Sequence, residues 1–113
     1  MDGFYSTYFT GETGSGYAIF IMKDGIICGA DPTGGVFDGH YTLNKLKDTY
    51  DGTIIMKVPP NGLLVTGAVA GPDGADFPIP IRIPRDFTSG TIVRVETPTG
   101  AVNVKFHKIR GFE

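Results

Sequence analysis

A chain of 113 residues sits near the commonest domain size, so one domain spanning residues 1–113 around one core is expected. With 41% hydrophobic and only 19% charged residues, it can bury that core and is not a disordered tail. A net charge of −2 with no stripe of lysine and arginine argues against direct nucleic-acid binding, which needs concentrated positive charge.

The one cysteine, Cys28, excludes an internal disulfide and fits a reducing compartment. The first residues show no basic segment followed by an apolar one. No run approaches the ~18 apolar residues of a membrane span. The expectation is a soluble, cytoplasmic protein without membrane contact. The most basic stretch, Lys105, His107, Lys108 and Arg110, reads as a solvated strand end.

Turn-forming residues recur along the whole chain, at 11–16, Asp24-Gly25, 31–35, Asp51-Gly52, 59–62, 71–74, 86–90 and 97–100. Short β-rich runs between regular turns are the mark of a barrel or sandwich, here with eight or nine strands. The first run, residues 3–9, is dense in aromatic and hydroxyl side chains. The second, residues 17–22, is apolar on both faces and must be covered twice, by the core and by a helix, a loop or another subunit. Asp24-Gly25 is a strong two-residue hairpin signal leading into residues 26–30. Cys28, inside that apolar run, reads as small core filler.

Residues 36–43 form a fourth strand, with Phe37, Gly39, Tyr41 and Leu43 on one face and Asp38, His40 and Thr42 on the other. Leu43, Leu46 and Tyr50 are then spaced for one short helix of about two turns. Residues 53–58 and 63–67 follow as strands. In the run 77–84, Pro78, Pro80 and Pro84 share parity, so the missing N–H donors fall on one side. That strand pairs fully with one neighbour and poorly with the other, which predicts a seam or edge, while Ile79, Ile81 and Ile83 face the core. Residues 91–97 and 101–107 make the clearest hairpin. Val102, Val104 and Phe106 point inward against Asn103, Lys105 and His107 outward, and a one-residue slip would bury charge.

No arrangement of residues names a reaction. The Gly11-Glu12-Thr13-Gly14-Ser15-Gly16 stretch lacks a P-loop lysine and leads into a strand, so it reads as a hairpin. Asp31, Asp38 and His40 are the best metal or acid–base candidates, but a turn residue and two exposed strand residues explain them equally well. No catalytic residue, metal ligand or cofactor is therefore assigned. An eight-stranded barrel has room for side chains or for one small ligand. Phe4, Phe9, Phe20, Tyr41 and Phe106 are the candidate lumen lining. Tyr17, Ile19, Ile21, Pro78 and Pro80 are the candidate interface.

The opening Asp2-Gly3-Phe4-Tyr5, then Gly14-Ser15-Gly16, Asp24-Gly25, Gly29-Ala30-Asp31 and Phe37-Asp38-Gly39-His40-Tyr41 resemble, in order and spacing, the GrlR family. These are small bacterial β-barrel negative regulators of type III secretion gene expression. The resemblance implies an all-β, eight-stranded antiparallel barrel of calycin or lipocalin type, with no catalytic activity and a homodimeric state. It also implies sequestration of a transcriptional activator by protein–protein contact. The family carries an acidic run after the fourth strand; the matching Leu43-Asn44-Lys45-Leu46-Lys47-Asp48 is net positive, so no partner-binding residue is carried over. The alternative is a lipocalin-like carrier or sensor of a small apolar ligand in the barrel lumen.

Overall fold

A computed structural model describes every residue of the chain except Thr13 and Val65, so the parts of the 11–16 hairpin and of the 63–67 segment that fall on these two lie outside the described residues. The elements are β1 (Gly3–Thr10), β2 (Ser15–Lys23), β3 (Ile26–Ala30), β4 (Val36–Asn44), β5 (Thr49–Val58), β6 (Ala75–Pro84), β7 (Val93–Thr97) and β8 (Gly100–Arg110). They form one eight-stranded sheet in the order β6-β5-β4-β3-β2-β1-β8-β7, antiparallel throughout. The two edge strands, β6 and β7, lie side by side. The sheet is thus a barrel, closed by hydrogen-bonded ladders everywhere except at the β6–β7 seam. Among the described residues there is no helix, hence none long and apolar enough to cross a membrane.

The seam falls where the prolines put it. β6 pairs with β5 over ten consecutive residue pairs, from Thr49↔Pro84 to Val58↔Ala75. Since Pro78, Pro80 and Pro84 cannot donate, the Ile79, Ile81 and Ile83 amides supply that ladder and the proline side faces β7. The same isoleucines are buried, at 7%, 7% and 1% exposure.

Local turn chemistry explains most connections. Asp24 and Gly25 both take positive φ, 51° and 82°, the left-handed pair that matches strand twist in a two-residue hairpin. Pro98-Thr99 closes the β7–β8 hairpin, where Val102, Val104 and Phe106 point inward and Lys105 and His107 are exposed, the expected register.

Three expectations about local structure are corrected. The helical spacing at Leu43, Leu46 and Tyr50 is a hairpin turn: the Asn44 carboxamide oxygen accepts from the Leu46 and Lys47 amides, and Leu46 is 96% exposed. A short side-chain-capped turn outcompetes a helix too short to nucleate itself. Asp51-Gly52 is not a turn but lies within β5, opposite Thr42 and Tyr41. Glycine is needed at 52 because a Cβ there would collide with the His40 carbonyl oxygen across the ladder. Of the strand expected over 63–67, Leu63, Leu64, Thr66 and Gly67 instead belong to the loop between β5 and β6, which touches back through an isolated Leu63↔Val69 bridge.

The main core fills one face of the curled sheet, with Tyr5, Phe20, Met22, Ile27, Phe37, Ile83, Phe87 and Phe106 among its members. A smaller cluster of Val58, Leu64 and Ala70 seats the β5–β6 loop. The second cover expected for β2 is not supplied by the described residues of this chain. Ala18, Phe20 and Met22 are buried, yet Tyr17, Ile19 and Ile21 remain 50%, 42% and 38% exposed on the outer face.

Candidate functional site: a lumen closed at one end

The two ends of the barrel differ. At one end, the β2–β3, β4–β5 and β6–β7 connections gather around Tyr5, Tyr41, Tyr50 and Phe87. Phe87, from the segment after β6, sits 5.3 Å from Tyr5, 6.2 Å from Tyr50 and 5.1 Å from Phe106 between ring centroids. Tyr41 meets Tyr50 edge-on at 5.8 Å. The Tyr5 hydroxyl donates to the Met1 carbonyl, and the Tyr41 hydroxyl donates to Asp2. Burial pushes both phenols above their ordinary value, that of Tyr41 to about 12, so they stay neutral donors at physiological pH. This end is plugged.

The opposite end is open. It is framed by the β1–β2 hairpin, the 31–35 loop, the 59–74 loop and the Pro98-Thr99 turn, and it leads into a cavity of about 400 Å³. One arc of the wall is aromatic: Phe9, Phe20 and Phe37, from β1, β2 and β4, stack with centroids 5.0 to 6.5 Å apart. The other arc is aliphatic, built by Ile54 and Met56 of β5, Ile79 and Ile81 of β6, Val95 of β7 and Val102 and Val104 of β8. Left sealed and empty, 400 Å³ would cost ~10 kcal/mol at ~24 cal/mol per Å³ of void. That matches the ~5–15 kcal/mol stability of a whole domain. A space this large persists because it opens to the outside.

Among the described residues that line the cavity, the polar ones sit at the rim. The Thr66 and Thr99 hydroxyls hydrogen-bond at 2.9 Å and tie the 59–74 loop to the β7–β8 turn. Asp31 accepts from the Thr33 amide, the Thr33 hydroxyl and the Gly35 amide, which holds the 31–35 loop in its turn. Among the described residues, no lysine, arginine or histidine lines the cavity, and no buried side-chain polar atom lacks a partner.

Of the expected lumen residues, Phe9, Phe20 and Phe106 line the cavity. Tyr41 also points inward but belongs to the plug, packed on Tyr50. Phe4 is a correction: it stands on the outer face, its ring 4.7 Å from that of Phe112, whose other contact is the Lys23 ammonium 4.4 Å from its ring centroid. Phe4 and Phe9 are an odd number of residues apart on one strand, so both cannot face inward. Phe87 and Val95 were missed, the first because its turn residues concealed a core side chain. Cys28 is likewise corrected from core to half-buried on the outer face, opposite Ile21.

The five expected interface residues do not form one patch. Tyr17, Ile19 and Ile21 lie on β2, whereas Pro78 and Pro80 are exposed on β6, four strands further round the wall, or ~19 Å at the usual strand spacing. The β2 residues instead continue across neighbouring strands. Tyr8 of β1, Ile26 and Ala30 of β3 and Val36 of β4 are also exposed, making an apolar band over the outer face of β1–β4. Asp38 and His40 are exposed on β4, apart from Asp31, and no cluster of three metal-ligating side chains occurs among the described residues.

No protein-family model matches this chain, and no curated protein matches it significantly. The fold and cavity themselves define a one-ended β-barrel with an apolar lumen and an apolar outer band.

Proposed function

We propose that this protein is a non-catalytic regulatory barrel of the GrlR kind, which restrains a transcriptional activator of type III secretion genes by direct protein–protein contact. The observation that carries this reading is the outer band of Tyr8, Tyr17, Ile19, Ile21, Ile26 and Val36, exposed by 38% to 54%. Contiguous apolar surface of this kind marks protein interfaces. The order of motifs from Asp2-Gly3 to Tyr41 adds the family resemblance. A cytoplasmic homodimer belongs to the same proposal.

The test is affinity purification from the source organism with the wild-type barrel and with an Ile19→Glu/Ile21→Lys double variant, at several salt concentrations. A helix-turn-helix protein retained by the wild type and lost by the variant is expected. When purified, the wild type should displace that protein from its DNA while the variant does not. Native mass spectrometry should give a dimer mass. Retention of ribosomal background alone, or equal retention by both forms, overturns the reading.

A further inference from the structure

The geometry points to the lumen as a binding site for one small, uncharged, largely hydrocarbon molecule that enters at the mouth framed by the 31–35 and 59–74 loops. This goes beyond the regulatory reading, since the outer band and the lumen are opposite faces of the same sheet and share only Tyr17, at the mouth, among the described residues. Three observations converge on it.

The first is size. An apolar cavity of about 150 Å³ takes benzene. The lumen, at about 400 Å³, therefore has room for a molecule roughly two to three times larger, on the order of 12–18 non-hydrogen atoms. It also falls within the ~300–1,000 Å³ of ordinary ligand pockets. The second is lining. The walls are phenylalanine, isoleucine, valine and methionine, without a polar atom in need of a partner among the described residues. Water gains no hydrogen bonds there, whereas hydrocarbon loses none.

The third is charge. A carboxylate-headed guest would need a cation at the mouth, and none of the described residues lining the cavity supplies one. The charged group at the rim is Asp31, which repels an anion. Thr66, Thr97 and Thr99 offer hydroxyls to a neutral head instead, such as an alcohol, ester or ketone. The ligand class is thus a neutral amphiphile, not a fatty-acid anion.

The wild-type protein is titrated with the neutral probe N-phenyl-1-naphthylamine at pH 7, followed by competition with 1-decanol and with decanoate. Saturable fluorescence at one probe per chain is expected. Decanol should displace the probe at about tenfold or more lower concentration than decanoate, because the buried carboxylate loses hydration without gaining a partner. Thr99→Arg places a cation at the half-buried rim and should tighten decanoate alone by about fivefold or more. Val95→Trp fills the lumen from β7, and with its fold retained should abolish probe binding; it adds the chain's sole tryptophan, whose emission reports folding. Non-saturable fluorescence, equal or better displacement by decanoate, or full probe binding by folded Val95→Trp overturns the proposal. The decanol–decanoate comparison needs no variant and decides the ligand class even where a substituted chain does not fold.

Discussion

Phe87 enters the core from outside any strand, so its removal tests how the closed end of the barrel is held. Its side chain is 3% exposed and touches the rings of Tyr5, Tyr50 and Phe106. Those three stand on β1, β5 and β8, each locked in a ladder, and cannot move in to fill a vacancy. Phe87→Ala vacates about 100 Å³, worth ~2.4 kcal/mol at ~24 cal/mol per Å³, and the lost transfer free energy raises the total to ~3–5 kcal/mol. At ~4 °C per kcal/mol for a domain of this size, the melting temperature falls by ~12–20 °C. Urea unfolding followed by circular dichroism measures the loss directly. Phe87→Leu, which keeps most of the volume, should cost under ~1.5 kcal/mol. A loss below ~1 kcal/mol for Phe87→Ala would refute the plug, because it would mean the ring packs against nothing rigid.

Hydrogen exchange reads the seam: the amides of Ile79, Ile81 and Ile83, bonded to β5, should be strongly protected, and that of Arg82, facing β7, should exchange fast. Equal protection of all four would mean a fully closed barrel. On the outer wall, Asp51 accepts from the Arg82 guanidinium at 3.1 Å, the Asn44 carboxamide at 2.9 Å and the Thr49 hydroxyl at 2.8 Å. These hold its carboxyl down to about 2 from the ordinary 3.8. A lowered carboxyl pKa stabilises the fold above the ordinary value and loses that contribution as pH falls toward 2. The melting-temperature gap between wild type and Asp51→Asn should therefore be full at pH 5 and shrink below pH 3.8, and a gap independent of pH would contradict the assignment.

Strand parity and turn chemistry are properties of neighbours along the chain, and that is why so much of this fold is legible in the sequence. The β8 alternation, the Asp24-Gly25 hairpin and the proline-marked edge at Pro78, Pro80 and Pro84 follow from period-two geometry and from donors that proline lacks. Parity with Phe9 is likewise enough to put Phe4 on the outer face. Sequence and fold part where local signals compete. Asn44 captures two amides and turns a helical spacing into a hairpin, and Gly52 marks a close strand approach instead of a bend.

By itself, the sequence determined an all-β chain of eight or nine strands, most of its inward residues and the place where its wall is weakest, because those depend on alternation and hydrogen-bond supply. Only the tertiary structure decided that one end is plugged by Phe87, Tyr5, Tyr41 and Tyr50 while the other opens into about 400 Å³. It also decided that Tyr17, Ile19 and Ile21 join Tyr8, Ile26 and Val36 in one outer band, whereas Pro78 and Pro80 stand apart. Whether side chains fill a lumen or line it depends on the barrel's radius and on loops packing across its ends, sums over the whole closed sheet that no local pattern records.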